Sequence, residues 1–113
     1  MHGGEHPDVA SSYGNIGNIW HSKGDYDRAL EFDEKSLAIR LKVHGGEHPD
    51  VAMSYNNIGT IWESKGDYDR ALEYLEKCLA IELKVYGAEH PDVKKSKSNI
   101  ETIKTKIAEQ NNL

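Results

Sequence analysis

The sequence returns on itself every 42 residues. His2-Gly3-Gly4-Glu5-His6-Pro7-Asp8-Val9 recurs as His44-Gly45-Gly46-Glu47-His48-Pro49-Asp50-Val51, and more loosely as Tyr86-Gly87-Ala88-Glu89-His90-Pro91-Asp92-Val93. Overlaying residues 2–43 on 44–85 leaves eight mismatches among 42 positions. A fixed period of this length specifies a stack, because a unit of this size cannot bury its apolar face alone and does so against its neighbours. The chain is therefore one repeat domain, 1–113, made of a first unit (2–43), a second (44–85) and a C-terminal segment (86–113). Met1 stands directly before a junction sequence, as in a piece cut from a longer array.

Within the second unit Val51, Tyr55, Ile58, Gly59 and Trp62 recur at spacings of three and four, which predicts a helix A over about 49–64. Pro49 suits its first turn and Asp50 its positive dipole end. Gly66 and Asp67 read as a helix stop followed by a cap. Tyr68, Ala71, Leu72, Leu75, Cys78, Leu79 and Leu83 then mark a long helix B over about 67–85. The first unit gives the same pair over about 7–22 and 25–43. In the third copy Ile100 and Ile103 persist, whereas Tyr55, Gly59 and Trp62 are answered by Lys97, Glu101 and Lys104. One apolar face with a soluble back makes 91–110 a capping helix, with Ile107 extending the apolar face.

These residues carry a resemblance. Tyr55-x-x-Ile58-Gly59-x-x-Trp62, then Gly66-Asp67-Tyr68 and Ala71, together with Tyr13, Ile16, Gly17, Trp20, Gly24, Tyr26 and Ala29, resemble the tetratricopeptide repeat family over nearly the whole chain. That family's usual period is about 34 residues, and the extra length here is similar to the 42-residue variety of kinesin light chains. The resemblance implies an all-α, right-handed α-solenoid of helix-turn-helix repeats, two units plus a cap. It also implies protein or peptide binding in a concave groove lined by the A helices, and a structural role for Asn15, Asn57 and Asn99 in bonding backbone between helices. The mid-helix glycines Gly17 and Gly59 are expected where helix B approaches too closely for a side chain.

The helix A mismatches, Ser11/Met53, Gly14/Asn56, Asn18/Thr60 and His21/Glu63, fall on one helical stripe. If copies drift only where packing leaves them free, that stripe is the unpacked face and the candidate ligand groove, with Ser22 and Ser64 beside it. The alternative is a spacer, or a module that stacks end to end without a peptide ligand, since helix A of the first unit shows no capping substitutions. Asp33, opposite Leu75 on the apolar stripe of helix B, is expected to be partly solvated or paired.

Charge narrows the partner class. Residues 1–93 carry 9 basic and 17 acidic side chains, whereas 94–113 carry 5 and 2. An acidic body repels nucleic acid and favours a neutral or basic protein partner. No long apolar run addresses the chain to a membrane. The lone Cys78 forms no internal disulfide and suits the cytoplasm. No nucleophile elbow accompanies the Ser, His and Asp residues, so no enzyme is expected, and no cofactor. His6, His48 and His90 recur one unit apart, too far to share a metal, and the glycine-containing stretch is expected to keep His2 and His44 away from His6 and His48. A cap for the turn is the expected role of the Glu-His-Pro-Asp element.

Overall fold

The computed structural model describes residues 6–112 as five helices: α1 Pro7–Ser22, α2 Tyr26–His44, α3 Pro49–Lys65, α4 Tyr68–Tyr86 and α5 Pro91–Asn111. No strand occurs among the described residues. The helices stack in chain order as a slab of 53 × 34 × 17 Å, each packed mainly on its sequence neighbours.

Local sequence sets every boundary. At the start of α1, α3 and α5 the histidine Nδ1 of His6, His48 and His90 accepts the N–H of Asp8, Asp50 and Asp92, each at 3.0 Å. Each bond satisfies one of the donors left over in a first helical turn, and proline occupies the next position, where its missing N–H is harmless. The Glu-His-Pro-Asp element is thus a helix cap, as expected. Asp25 and Asp67 cap α2 and α4 through the N–H of Arg28 and Arg70, both at 3.1 Å. Gly66, at φ 85°, ends α3 in a left-handed conformation that a side chain would strain.

Burial is divided among separate clusters. Ala29 and Leu30 of α2 meet Ile58 and Ile61 of α3; Val51 and Ala52 of α3 meet Cys78 and Ile81 of α4; Ala71 and Leu75 of α4 meet Ile100 and Ile103 of α5. This is a quasi-one-dimensional protein, in which stability is a sum over neighbouring contacts. The mid-helix glycines are the points of closest approach. A Cβ on Gly59 would stand 3.1 Å from Leu75 Cδ2 and 3.3 Å from the Ala71 carbonyl oxygen.

Asp33 departs from expectation. It is 2% exposed, and its Oδ1 lies 2.7 Å from where a Gly17 Cβ would be, while Oδ2 has no hydrogen-bond partner. Burial raises its pKa to about 6 even though the Arg40 guanidinium pulls it down. The site is closed to water because α1 itself covers it at Gly17.

Candidate functional site

Two recesses lie around Asn99 of α5, lined by residues of α3, α4 and α5. One, of about 240 Å3, is lined by Met53, Asn56, Cys78 and Glu82 together with α5 residues; the other, of about 150 Å3, by Thr60, Glu63, Leu75, Asn99 and Thr102. Seven of the eight positions at which the units differ therefore converge here in the second unit: 53, 56, 60 and 63 from α3, and 75, 78 and 82 from α4. Only Tyr74 is absent from the lining of both. The sequence reading assigned the helix A positions to this surface and missed the contribution of helix B, whose differing residues sit on its buried stripe. Taking all eight mismatches together, rather than helix by helix, is the signal that finds it.

Not every stripe residue is free. Met53 is 52% exposed and Ser11 and Asn18 are exposed, as an unpacked face requires. Gly14 corrects the expectation: it is buried, with its missing Cβ directed to within 3.7 Å of Ser36 Oγ on α2. His21 Nε2 is 2.8 Å from Ser64 Oγ on α3, and Lys106 of α5 donates to Glu63 at 2.8 Å. These two pairs join consecutive A-type helices at one rim, so positions 21 and 63 link units. The Glu63 carboxylate also raises the pKa of Lys106.

The asparagines correct the expected role. Asn15 is exposed and Asn57 and Asn99 are half-buried, and none of their side chains makes a hydrogen bond among the described residues. Asn99 instead lines both recesses with its amide free. The floor between the first unit and α3 is different, being polar and closed: Arg40 Nη1 donates to Ser54 Oγ at 3.0 Å and to the Asp50 carbonyl at 3.2 Å. At the next junction Glu82 replaces Arg40 and accepts from Ser96 at 2.5 Å.

Chemistry elsewhere is structural. Burial and the neighbouring Glu82 push the Cys78 thiol up to about 12, which leaves it un-ionised at neutral pH. Arg28 and Arg70 cover the faces of Trp20 and Trp62 at 4.7 Å, so neither ring is an open stacking platform. Contrary to expectation, the glycine turn does bring histidines together. His44 and His48 stack at 3.7 Å with an interplanar angle of 11°, and His44 Nε2 is 3.3 Å from Asp50 Oδ2. Nearly parallel rings direct their in-plane lone pairs along parallel planes, which cannot converge on one ion, and His48 Nδ1 is already occupied by the cap. At the third junction Tyr86 stacks on His90 at 4.2 Å with the same cap intact, so the aromatic stack is what this position needs. The pairing of His2 with His6 lies outside the described residues.

No helix among the described residues is long and apolar enough to cross a membrane. A search of curated protein sequences gave no match. Among solved structures, BtubC (BKLC) from P. vanneervenii superposes with a TM-score of 0.86 at 24% identity, over 92% of this chain and 42% of that one. A Podosopora anserina putative kinesin light chain with nearly identical TPR-like repeats gives 0.78 at 26% identity, over 93% and 50% respectively. The chain thus spans at most half the length of these two similar structures. The tetratricopeptide repeat profile matches residues 8–84, and with its stacked helix pairs, recurrent glycines and 42-residue units of the kinesin-light-chain kind the chain belongs to the tetratricopeptide repeat family.

Proposed function

We propose that this chain is a non-catalytic binding module whose groove, lined by α1, α3 and α5, holds an extended or helical segment of a partner protein. Members of its family generally mediate protein–protein interaction, which sets the class of activity. The observation that carries the finer reading is the convergence of seven differing positions on two adjoining recesses, where the conserved framework of the repeat gives way to residue types suited to recognition. Met53 offers an exposed apolar anchor, and the free amides of Asn56 and Asn99 offer paired donors and acceptors for a peptide backbone. Glu82 and Asp92 line the same recess beside the single cation Lys95, and the body of the chain is acidic, which favours a neutral or basic segment.

The test is a displayed peptide library selected on the 113-residue chain, with binders measured by fluorescence polarisation. Neutral or basic segments are expected, weakened about tenfold or more by Met53→Ala, Asn56→Ala and Asn99→Ala combined, since central interface groups dominate affinity. Binding that survives these changes but is lost on replacing Glu73 and Lys77, on the exposed side of α4, would overturn the groove assignment.

A further inference from the structure

The recess of about 150 Å3 beside α5 has Thr60, Glu63, Leu75, Asn99 and Thr102 around it. One repeat earlier the same places are held by Asn18, His21, Asp33, Asn57 and Thr60, so the apolar floor of the second junction becomes a carboxylate at the first. Depth does not exclude a ligand: Leu75 is 3% exposed and still floors its recess, and Asp33 is 2% exposed. Asp33 Oδ2 and, one turn along the same helix, Ser36 Oγ are buried without a hydrogen-bond partner, and α1 meets them at Gly17 and Gly14, which bring no side chain. A buried carboxylate is costly unless a donor or a cation meets it. Among the described residues no cation bonds this one. Arg40, on the same helix, is turned to Ser54 and the Asp50 carbonyl; His21 of α1 is bonded to Ser64; α3 brings the neutral Asn57 and Thr60, its Glu63 being held by Lys106.

We propose that the junction of α1 and α3 is a subsite for a lysine side chain of the partner, whose ammonium pairs with the Asp33 carboxylate while its alkyl stem lies between Asn18, Asn57 and Thr60. An ammonium has three donors and no acceptor. That suits a place where Asp33 Oδ2, Ser36 Oγ and the Asn57 amide all lack partners. Pairing removes the cost of the buried charge, and the exclusion of water strengthens the contact. Burial raises the carboxyl's pKa to about 6 against the pull of Arg40, so at pH 7 it is ionised and able to pair. At the second junction Leu75 offers no acceptor and Glu63 is taken by Lys106, so the place of the cation along the groove is fixed at the first. For its partner the subsite rests on the groove reading; the site itself is tested without a peptide.

The test titrates n-butylammonium chloride into the isotope-labelled 113-residue chain at pH 7, against sodium chloride at the same concentration, and follows backbone amide shifts by NMR. Saturable shifts are expected at Gly17, Asn18 and Asn57. Asp33→Asn should weaken binding by about tenfold or more, through loss of a charge-assisted bond. Lowering the pH to 5 should weaken it as well, because the carboxyl then holds its own proton. The uncharged n-butanol should not saturate. Asp33→Leu, which copies Leu75, gives the same reading should the asparagine variant fold poorly. Equal affinity in the 113-residue chain and its variants, shifts that merely track sodium chloride, or saturation confined to Glu63 and Thr102 would overturn the proposal. Peptides that bind the groove while n-butylammonium gives no saturable shift would overturn this subsite alone. Saturable n-butylammonium binding, lost in Asp33→Asn, in a chain that selects no peptide would uphold the subsite and overturn the groove reading.

Discussion

Replacing Asp33 with asparagine should stabilise the protein at neutral pH and do far less at pH 4. The carboxyl is 2% exposed, one oxygen lacks a hydrogen-bond partner, and its pKa stands at about 6 against an ordinary 3.8. An acid whose folded pKa is raised binds its proton more tightly folded than unfolded. The ionised group therefore opposes folding as pH rises past 3.8, and the penalty vanishes only well below pH 3.8, where both states are protonated. It grows as pH rises from about 4 to 6 and is constant beyond. A difference of about two pKa units corresponds to roughly 3 kcal/mol, a large fraction of the 5–15 kcal/mol typical of a domain. Asparagine has nearly the same shape and does not titrate, so Asp33→Asn should gain about 2–3 kcal/mol at pH 7. Asp33→Leu, which copies Leu75, should also fold and gain. Urea denaturation of both chains at pH 4, 5, 6, 7 and 8 measures the difference directly. A gain independent of pH, or a variant less stable at pH 7, would refute the reasoning and assign Asp33 a favourable ionic contact with Arg40 that outweighs its burial.

Four further substitutions test the packing and the caps. Gly59→Ala should destabilise by about 1–3 kcal/mol despite alanine's better helix propensity, because the new Cβ meets Leu75 at 3.1 Å and backbone at 3.3 Å; an unchanged thermal midpoint would mean that α3 and α4 shift apart freely. His48→Ala removes the acceptor for the Asp50 N–H and should lose about 1 kcal/mol in thermal melts; an unchanged midpoint would show that the cap contributes nothing. Ile103→Ala should lose about 2–5 kcal/mol and Ile19→Ala under about 0.5, although both occupy the same place in the repeat. Equal losses would show that α1 is covered in solution.

Most of the fold was legible because each boundary is chemically marked: histidine or aspartate at the caps, proline in the first turn, glycine at the stops. The 42-residue period supplied the architecture. The candidate site was only half legible. Helix periodicity separates the stripe of Met53, Asn56 and Thr60 from the packed face, but it places Leu75, Cys78 and Glu82 on a buried stripe without saying that this stripe floors the same recesses. Gly14 was misread, and the links that His21 and Glu63 make to the next unit were missed, for a related reason. A position that varies between copies can still be packed, or bonded to the next unit, provided its partner differs as well. Asp33 and His44 failed on tertiary closeness, since neither the closing of α1 over helix B at Gly17 nor the stacking of rings across a glycine turn follows from local pattern.

The division of the interior into separate clusters has a kinetic consequence. Helix α5 buries its apolar edge against α4 and reaches α3 only through Trp62 and the Lys106–Glu63 pair, so it can detach while α3 and α4 keep their own contacts, and such opening requires far less free energy than unfolding the whole chain. Detachment uncovers Ala71 and Leu75 on α4, an apolar strip with no solubilising residues of its own. The species expected to aggregate is therefore a nearly native molecule with one helix displaced. Storage lifetime should follow the opening rate of α5, and amide exchange should show α5 opening ahead of α3 and α4. Stabilising the first unit, as Asp33→Asn is expected to do, should raise the melting temperature and leave the rate of aggregation where it was.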